Sequence, residues 1–127
     1  MSLQKYQAAQ RVTETPRSAE YRLFAQVTRA LIDCKGQMMP KRMEALDWNR
    51  RMWLTLQGDL ADTRNQLPHQ LKANLISLAI FVNKHTRKVM EGKASIDALI
   101  DVNRNVMEGL AANAGAQKAL PQSRSAA

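Results

Sequence analysis

The sequence predicts an all-α protein, a single four-helix bundle-like domain with a flexible N-terminal arm and a flexible C-terminal tail. Three observations predict it. Hydrophobic residues make up 45% of the chain but aromatic residues only 5%, and glycine and proline are few, a balance that favours helices over a sheet of β-branched and aromatic residues. Apolar residues recur at helical spacing in four separate stretches. The length, 127 residues, suits one modest core and is too short for two.

Residues 1–16 are polar and end in TETP, so they read as a loose arm or a short, marginal helix. The domain proper is expected over residues 17–112. From Ser18, a residue suited to capping, Leu23, Phe24, Val27, Ala30, Leu31 and Cys34 share one helical face until Lys35-Gly36 supplies a stop. This gives a first helix over about residues 18–35. Cys34 falls on the inward face, as a small apolar group rather than a nucleophile with a base beside it.

Pro40 opens a second helix, to about residue 61, whose stripe is Ala45, Leu46, Asn49, Met52, Trp53, Leu56 and Leu60. Trp48 lies at the edge of that stripe, either covering a neighbouring helix or offered to a partner. The stretch ADTRNQLP is the loop into the third and central helix, about residues 68–91. Pro68 suits its first turn, and Arg87 and Lys88 suit its negative end. Leu71, Asn74, Leu75, Leu78, Phe81, Val82, His85 and Val89 share one face and are expected in the core. Ile76 and Ile80 sit nearly opposite, surplus to a bundle that needs one stripe per helix. Either another helix covers them, or they line a groove for a partner. The apolar run is too short for a membrane span, which needs about 20 residues.

Gly92 ends the central helix and Ser95 caps a fourth, about residues 95–112, with Ile96, Leu99, Ile100, Asn103, Val106, Met107 and Leu110 on one face. The remainder, residues 113–127, is small, polar and proline-containing, as expected of a flexible tail. Asn49, Asn74 and Asn103 each sit near the middle of an apolar stripe. They form either a shared polar layer that sets how the helices register, or three amides satisfied locally, since a buried amide left unpaired costs about 1–3 kcal/mol.

The chemistry of an enzyme is missing from the pattern. His69 and His85 are far apart and lack cysteine or carboxylate at ligand spacing, and the single cysteine excludes an internal disulfide or multi-cysteine metal site. The carboxylate pairs Asp59/Asp62 and Asp97/Asp101 lie off the apolar stripes, where a sheltered acid–base site would need them. No catalytic residue, cofactor or metal is therefore expected. The net charge of +8 places five cations between residues 67 and 93, but Glu91 lies three and four residues from Lys88 and Arg87, the spacing of solvated ion pairs. The N-terminus, MSLQKYQAAQRV, has no apolar run of the kind a signal peptide carries, so a cytoplasmic protein is expected.

The motifs ALDWNRRMW (45–53), NQLPHQLKANLISL (65–78) and LIDVNRNVMEGL (99–110) resemble those of the flagellar biosynthesis regulator FlaF, a small bacterial family. The resemblance covers about residues 15–112. It rests on Asn49, Trp53, Asn65, Leu67, Pro68, Leu71, Asn74, Ser77, Leu78, Asn103, Met107, Gly109 and Leu110. It implies a non-enzymatic partner of flagellin, chaperone-like, that promotes flagellin synthesis and secretion and acts with or against the translation repressor FlbT. Trp48, Ile76 and Ile80 are the candidate partner-binding residues, on a chain that is a monomer or small oligomer with no membrane partner. The alternative is an RNA-associated regulator of flagellin translation, but Tyr6, Tyr21, Phe24, Trp48, Trp53 and Phe81 are dispersed or inward and form no stacking platform, so direct nucleic-acid binding is not expected.

Overall fold

A computed structural model describes the backbone of residues 16–119 and the side chains of residues 20–111. It holds four helices and, among the described residues, no strand: α1 (Pro16–Asp33), α2 (Met39–Ala61), α3 (His69–Met90) and α4 (Asp97–Ala119). The expected arm falls outside the described residues apart from Pro16, which opens α1. The fourth helix runs further than its apolar stripe predicts. Its backbone stays helical to Ala119 because residues 111–119 are rich in alanine, the strongest helix former, and need no buried face to hold the conformation. Residues 120–127 of the expected tail lie outside the described residues.

The helix ends follow from local chemistry. Gly92 closes α3 at φ +74°, and the backbone N–H groups of Gly92 and Lys93 donate to the carbonyls of Val89 and Lys88, the paired bonds of a Schellman ending. Arg87 and Lys88 occupy that last turn. Ser95 Oγ then accepts from the Asp97 N–H at 3.0 Å, capping α4.

Short connections make sequence neighbours antiparallel, and the helices form a ring in which α2 packs most heavily on α3 and α1 on α4. Of the two remaining seams, the one between α3 and α4 is thinner than the one between α1 and α2. The core holds Phe24, Val27, Leu31 and Cys34 of α1, Ala45, Leu46, Met52 and Trp53 of α2, Ala79, Val82 and Val89 of α3, and Ile96, Leu99 and Ile100 at and beside the start of α4. Phe24 and Trp53 meet edge to face at a centroid distance of 5.5 Å.

Two of the three stripe asparagines meet inside this core. Trp53 Nε1 donates to Asn103 Oδ1 at 2.9 Å, and Asn103 Nδ2 donates to Asn49 Oδ1 at 2.8 Å, with both amides fully buried. The bonds tie α2 to α4 at a single register. Asn74 does not join them. It is exposed, and its Oδ1 accepts from Gln70 Nε2 within its own helix at 2.9 Å.

The same displacement affects the rest of α3. Leu71, Leu75 and Leu78 are only half-buried and Phe81 is 40% exposed, whereas the buried residues are Ala79, Val82, Thr86 and Val89. The core stripe is thus rotated from the expected one. Ala79 offers little bulk, and Thr86 is tolerated inside because its hydroxyl donates to its own helix at Val82 O, 2.6 Å away. Leu23 of α1, expected in the core, is exposed as well.

Candidate functional site

Where α3 and α4 diverge, the half-buried leucines of α3 line an open groove of about 1080 Å³. Leu71, Leu75 and Leu78 form one wall, Val106, Gly109 and Leu110 of α4 the other, and Phe24, Leu56 and Leu60 the floor. Leu71 to Leu78 spans about 10 Å at 1.5 Å per residue, and Phe81, one turn on, carries the stripe to about 15 Å. That is the footprint of two to three turns of a helix. Gly109 leaves its stretch of wall open, since a Cβ there would meet nothing within 4 Å.

The loop between α2 and α3 closes one end of the groove and is held by Asn65. Its Nδ2 donates to Asp59 O at 3.2 Å, its Oδ1 accepts from the Leu67 N–H at 3.0 Å, and its carbonyl accepts from Lys72 Nζ. Leu67 is thereby placed beside Leu71 in the lining. Asp62, also in the loop, accepts from the side chain and backbone of Arg64, bonds that hold its carboxyl below the usual carboxylate range.

The residues that carry the family resemblance gather here. Asn65, Leu67, Leu71, Asn74, Leu78, Gly109 and Leu110 all line the groove, while Asn49, Trp53 and Asn103 form the polar link beneath. Sequence reasoning places the leucines of this set in the core. Their helical period shows an apolar face but not what that face meets.

The three residues proposed from sequence as partner contacts do not converge on this groove. Ile80 is 45% exposed and Ile76 half-buried, neither of them in the lining. No helix seals Ile80 into a core. Trp48 is 37% exposed and faces the α1–α2 seam, where it lines a smaller hollow of about 310 Å³ with Leu23 and Met52. That hollow shares Glu20, Phe24, Leu56 and Asp59 with the large groove, so the two lie on either side of a common ridge.

The cysteine and the two histidines have other work. Cys34 is buried and its thiol donates to Leu31 O at 3.2 Å, and burial pushes its pKa up, away from the thiolate a nucleophile needs. His85 Nε2 lies 2.8 Å from Ser95 O and its ring stacks on Phe81 at 5.1 Å, so it joins the end of α3 to the start of α4. His69 is exposed at the first residue of α3. Among the described residues no group of three or more His, Cys, Asp or Glu is placed to hold a metal ion, and no helix is long and apolar enough to cross a membrane.

Several cations are already engaged. Arg50 and Arg51 both pair with Asp47, Arg64 with Asp62, Lys35 with Asp97 and Lys93 with Glu91.

Comparison with curated proteins and with solved structures returns no match. The family model of flagellar protein FlaF matches residues 2–110, more of the N-terminal segment than the sequence motifs alone suggest. Covering most of the chain, it shows that this protein belongs to the FlaF family.

Proposed function

We propose that this protein is a non-enzymatic, cytoplasmic partner of flagellin, which holds an amphipathic helical segment of flagellin in the α3–α4 groove and so promotes flagellin synthesis and secretion. The observation that carries the reading is the groove itself: in a chain of a flagellar family, seven residues of the family pattern line an apolar cleft that none of the described helices covers. A cleft with leucines at i, i+4 and i+7 presents apolar anchors at the spacing an amphipathic helix can match. The exposed Trp48 and Ile80 and the half-buried Ile76 would then serve a second contact, and the translation repressor FlbT is a candidate for it. The protein acts as a monomer or small oligomer, with no membrane partner. Regulation of flagellin translation through direct RNA binding ranks behind this reading, because Trp53 and Phe24 are buried and offer a base no face to stack on.

The test is co-elution with purified flagellin, run beside a thermal melt. Leu75→Asp places a charge in the groove at a half-buried position, and is expected to leave a folded protein that no longer retains flagellin. Ile80→Asp and Trp48→Ala, on other faces, are expected to retain it. Retention by folded Leu75→Asp would overturn the groove assignment. Retention that collapses as salt rises would favour a phosphate or charge-dominated partner instead.

A further inference from the structure

We propose that the outer face of the α2–α3 pair docks an acidic amphipathic helix of a protein partner, with a carboxylate of that helix seated between Arg50 and Arg87 and its apolar side chains on Leu54, Ile76 and Ile80. The proposal deepens the second contact made by Ile76 and Ile80 and rests on that reading, but it is independent of what fills the α3–α4 groove.

The helical period sets out the face. On α3, Ile76, Ile80, Lys84 and Arg87 follow at i, i+4, i+8 and i+11, one stripe about 16 Å long on the side away from the buried Val82 and Val89. On α2, Leu54 lies one turn beyond Arg50. A hollow of about 240 Å³, lined by Arg50, Asn83, Thr86, Arg87 and Met90, fixes the register of the two helices. Because they run antiparallel, one turn on from Arg50 and one turn back from Asn83 brings Leu54 beside Ile80. Leu54 is 43% exposed and Ile80 45%. Gly58, a further turn along α2, leaves the face open there, since a Cβ on it would meet nothing within 4 Å.

Charge chooses the occupant. Arg50 and Arg51 share Asp47, at 2.6 and 2.9 Å, whereas Lys84 and Arg87 make no ion pair among the described residues. Glu91, at the right spacing for Arg87, pairs with Lys93 instead, at 3.7 Å. The helix dipole accounts for a cation in the last turn of α3, where Arg87 sits, but Lys84 lies a turn earlier and Arg50 belongs to another helix. Guanidinium groups only donate, and the Thr86 hydroxyl is already spent on Val82 O, so the group that fits between Arg50 and Arg87 is an oxyanion such as a carboxylate. Apolar surface one turn away asks for a partner that carries both chemistries on one face. A second copy of this chain meets only the apolar half, because the carboxylates it could bring with the same face, Asp47 and Glu91, are already paired.

The test uses the full-length protein and a fluorescent helical peptide with leucines along one face and two glutamates at one end of it, read by anisotropy beside a thermal melt of each variant. Ile80→Asp and Arg87→Glu change exposed side chains, so both are expected to melt as the parent does. Each is expected to weaken the peptide about fivefold or more, whereas Leu75→Asp, in the groove, retains it. With lysines in place of the two glutamates the order should reverse, Arg87→Glu binding more tightly than the parent. Binding lost with Ile80→Asp but indifferent to both charge reversals would leave the second contact standing and overturn its acidic partner. Binding indifferent to Ile80→Asp, or lost with Leu75→Asp instead, would overturn the second contact itself. A parent dimer in size-exclusion chromatography that Ile80→Asp dissolves would give the face to a second copy and equally overturn the proposal.

Discussion

The two ends of this bundle are built from the same four helices and differ in almost everything else. At the end where α1 stops and α4 starts, Leu31, Leu46, Val89, Ile96, Leu99 and Ile100 are buried, and Lys35 bonds Asp97 across 62 residues of sequence. At the opposite end Leu71, Leu75 and Leu78 are left half-covered beside Gly109. One end is made to hold the fold. The other keeps apolar surface in reserve, and the Trp53–Asn103–Asn49 link between them fixes α4 against α2 so that the groove cannot close by simple sliding of the helices.

The largest expected effect that would break this comparison lies at the closed end. Leu99→Ala should cost about 2–5 kcal/mol, read as a fall in the denaturant midpoint at unchanged slope, because Leu99 is fully buried and its neighbours cannot collapse onto the void. The matched change Leu75→Ala at the open end should cost below about 1 kcal/mol. Equal losses would mean that both ends are core, and the groove would lose its meaning.

The polar link comes next. Asn103→Ala removes the acceptor of Trp53 Nε1 and the donor to Asn49 together, leaving buried groups unpaired at a cost of about 1–3 kcal/mol. Equilibrium unfolding measures it, and no loss would show that solvent reaches these groups.

Gly109→Ala should run the other way. A helical glycine with free space where a Cβ would stand is expected to gain about 0.5–1 kcal/mol when replaced by alanine, seen as a higher melting temperature. A loss would show that α3 approaches α4 more closely than the groove allows.

The smallest effect concerns pH. The Asp97 pKa is lowered by the hydrogen bond from Lys35 and then by its charge. A depressed carboxylate contributes stability that is present above its unfolded pKa, about 3.9, and is lost as pH falls through the folded value. Asp97→Asn should therefore be slightly less stable than the parent at neutral pH and converge with it in acid, a difference that salt narrows because the pair is exposed. Acid melts of the two proteins should show that convergence.

Much of the fold is legible in the sequence because it is decided locally. Pro40, Gly92 and Ser95 mark helix ends by their own backbone and side-chain chemistry, and the α2 stripe is recovered in full, with Leu56 alone less than buried. Asn49 and Asn103 are likewise readable, since an amide in the middle of an apolar stripe must find a partner. The groove is not readable in this way. Leu71, Leu75 and Leu78 look like core, and Ala79 and Thr86, which take the buried positions, look unremarkable until the Thr86 hydroxyl is seen bonded to Val82 O.

What the sequence by itself determined is the set of four helices, where most of them begin and end, and which faces are apolar, all consequences of 3.6-residue periodicity and capping within a few residues. The tertiary structure alone decided which of those faces are covered. Covering depends on what the neighbouring helix presents across the gap: Leu99 and Ile100 fill the space at one end of α4, and Gly109 leaves it empty at the other. That pairing joins residues some 30 to 40 positions apart, with no periodic signal in either helix to announce it.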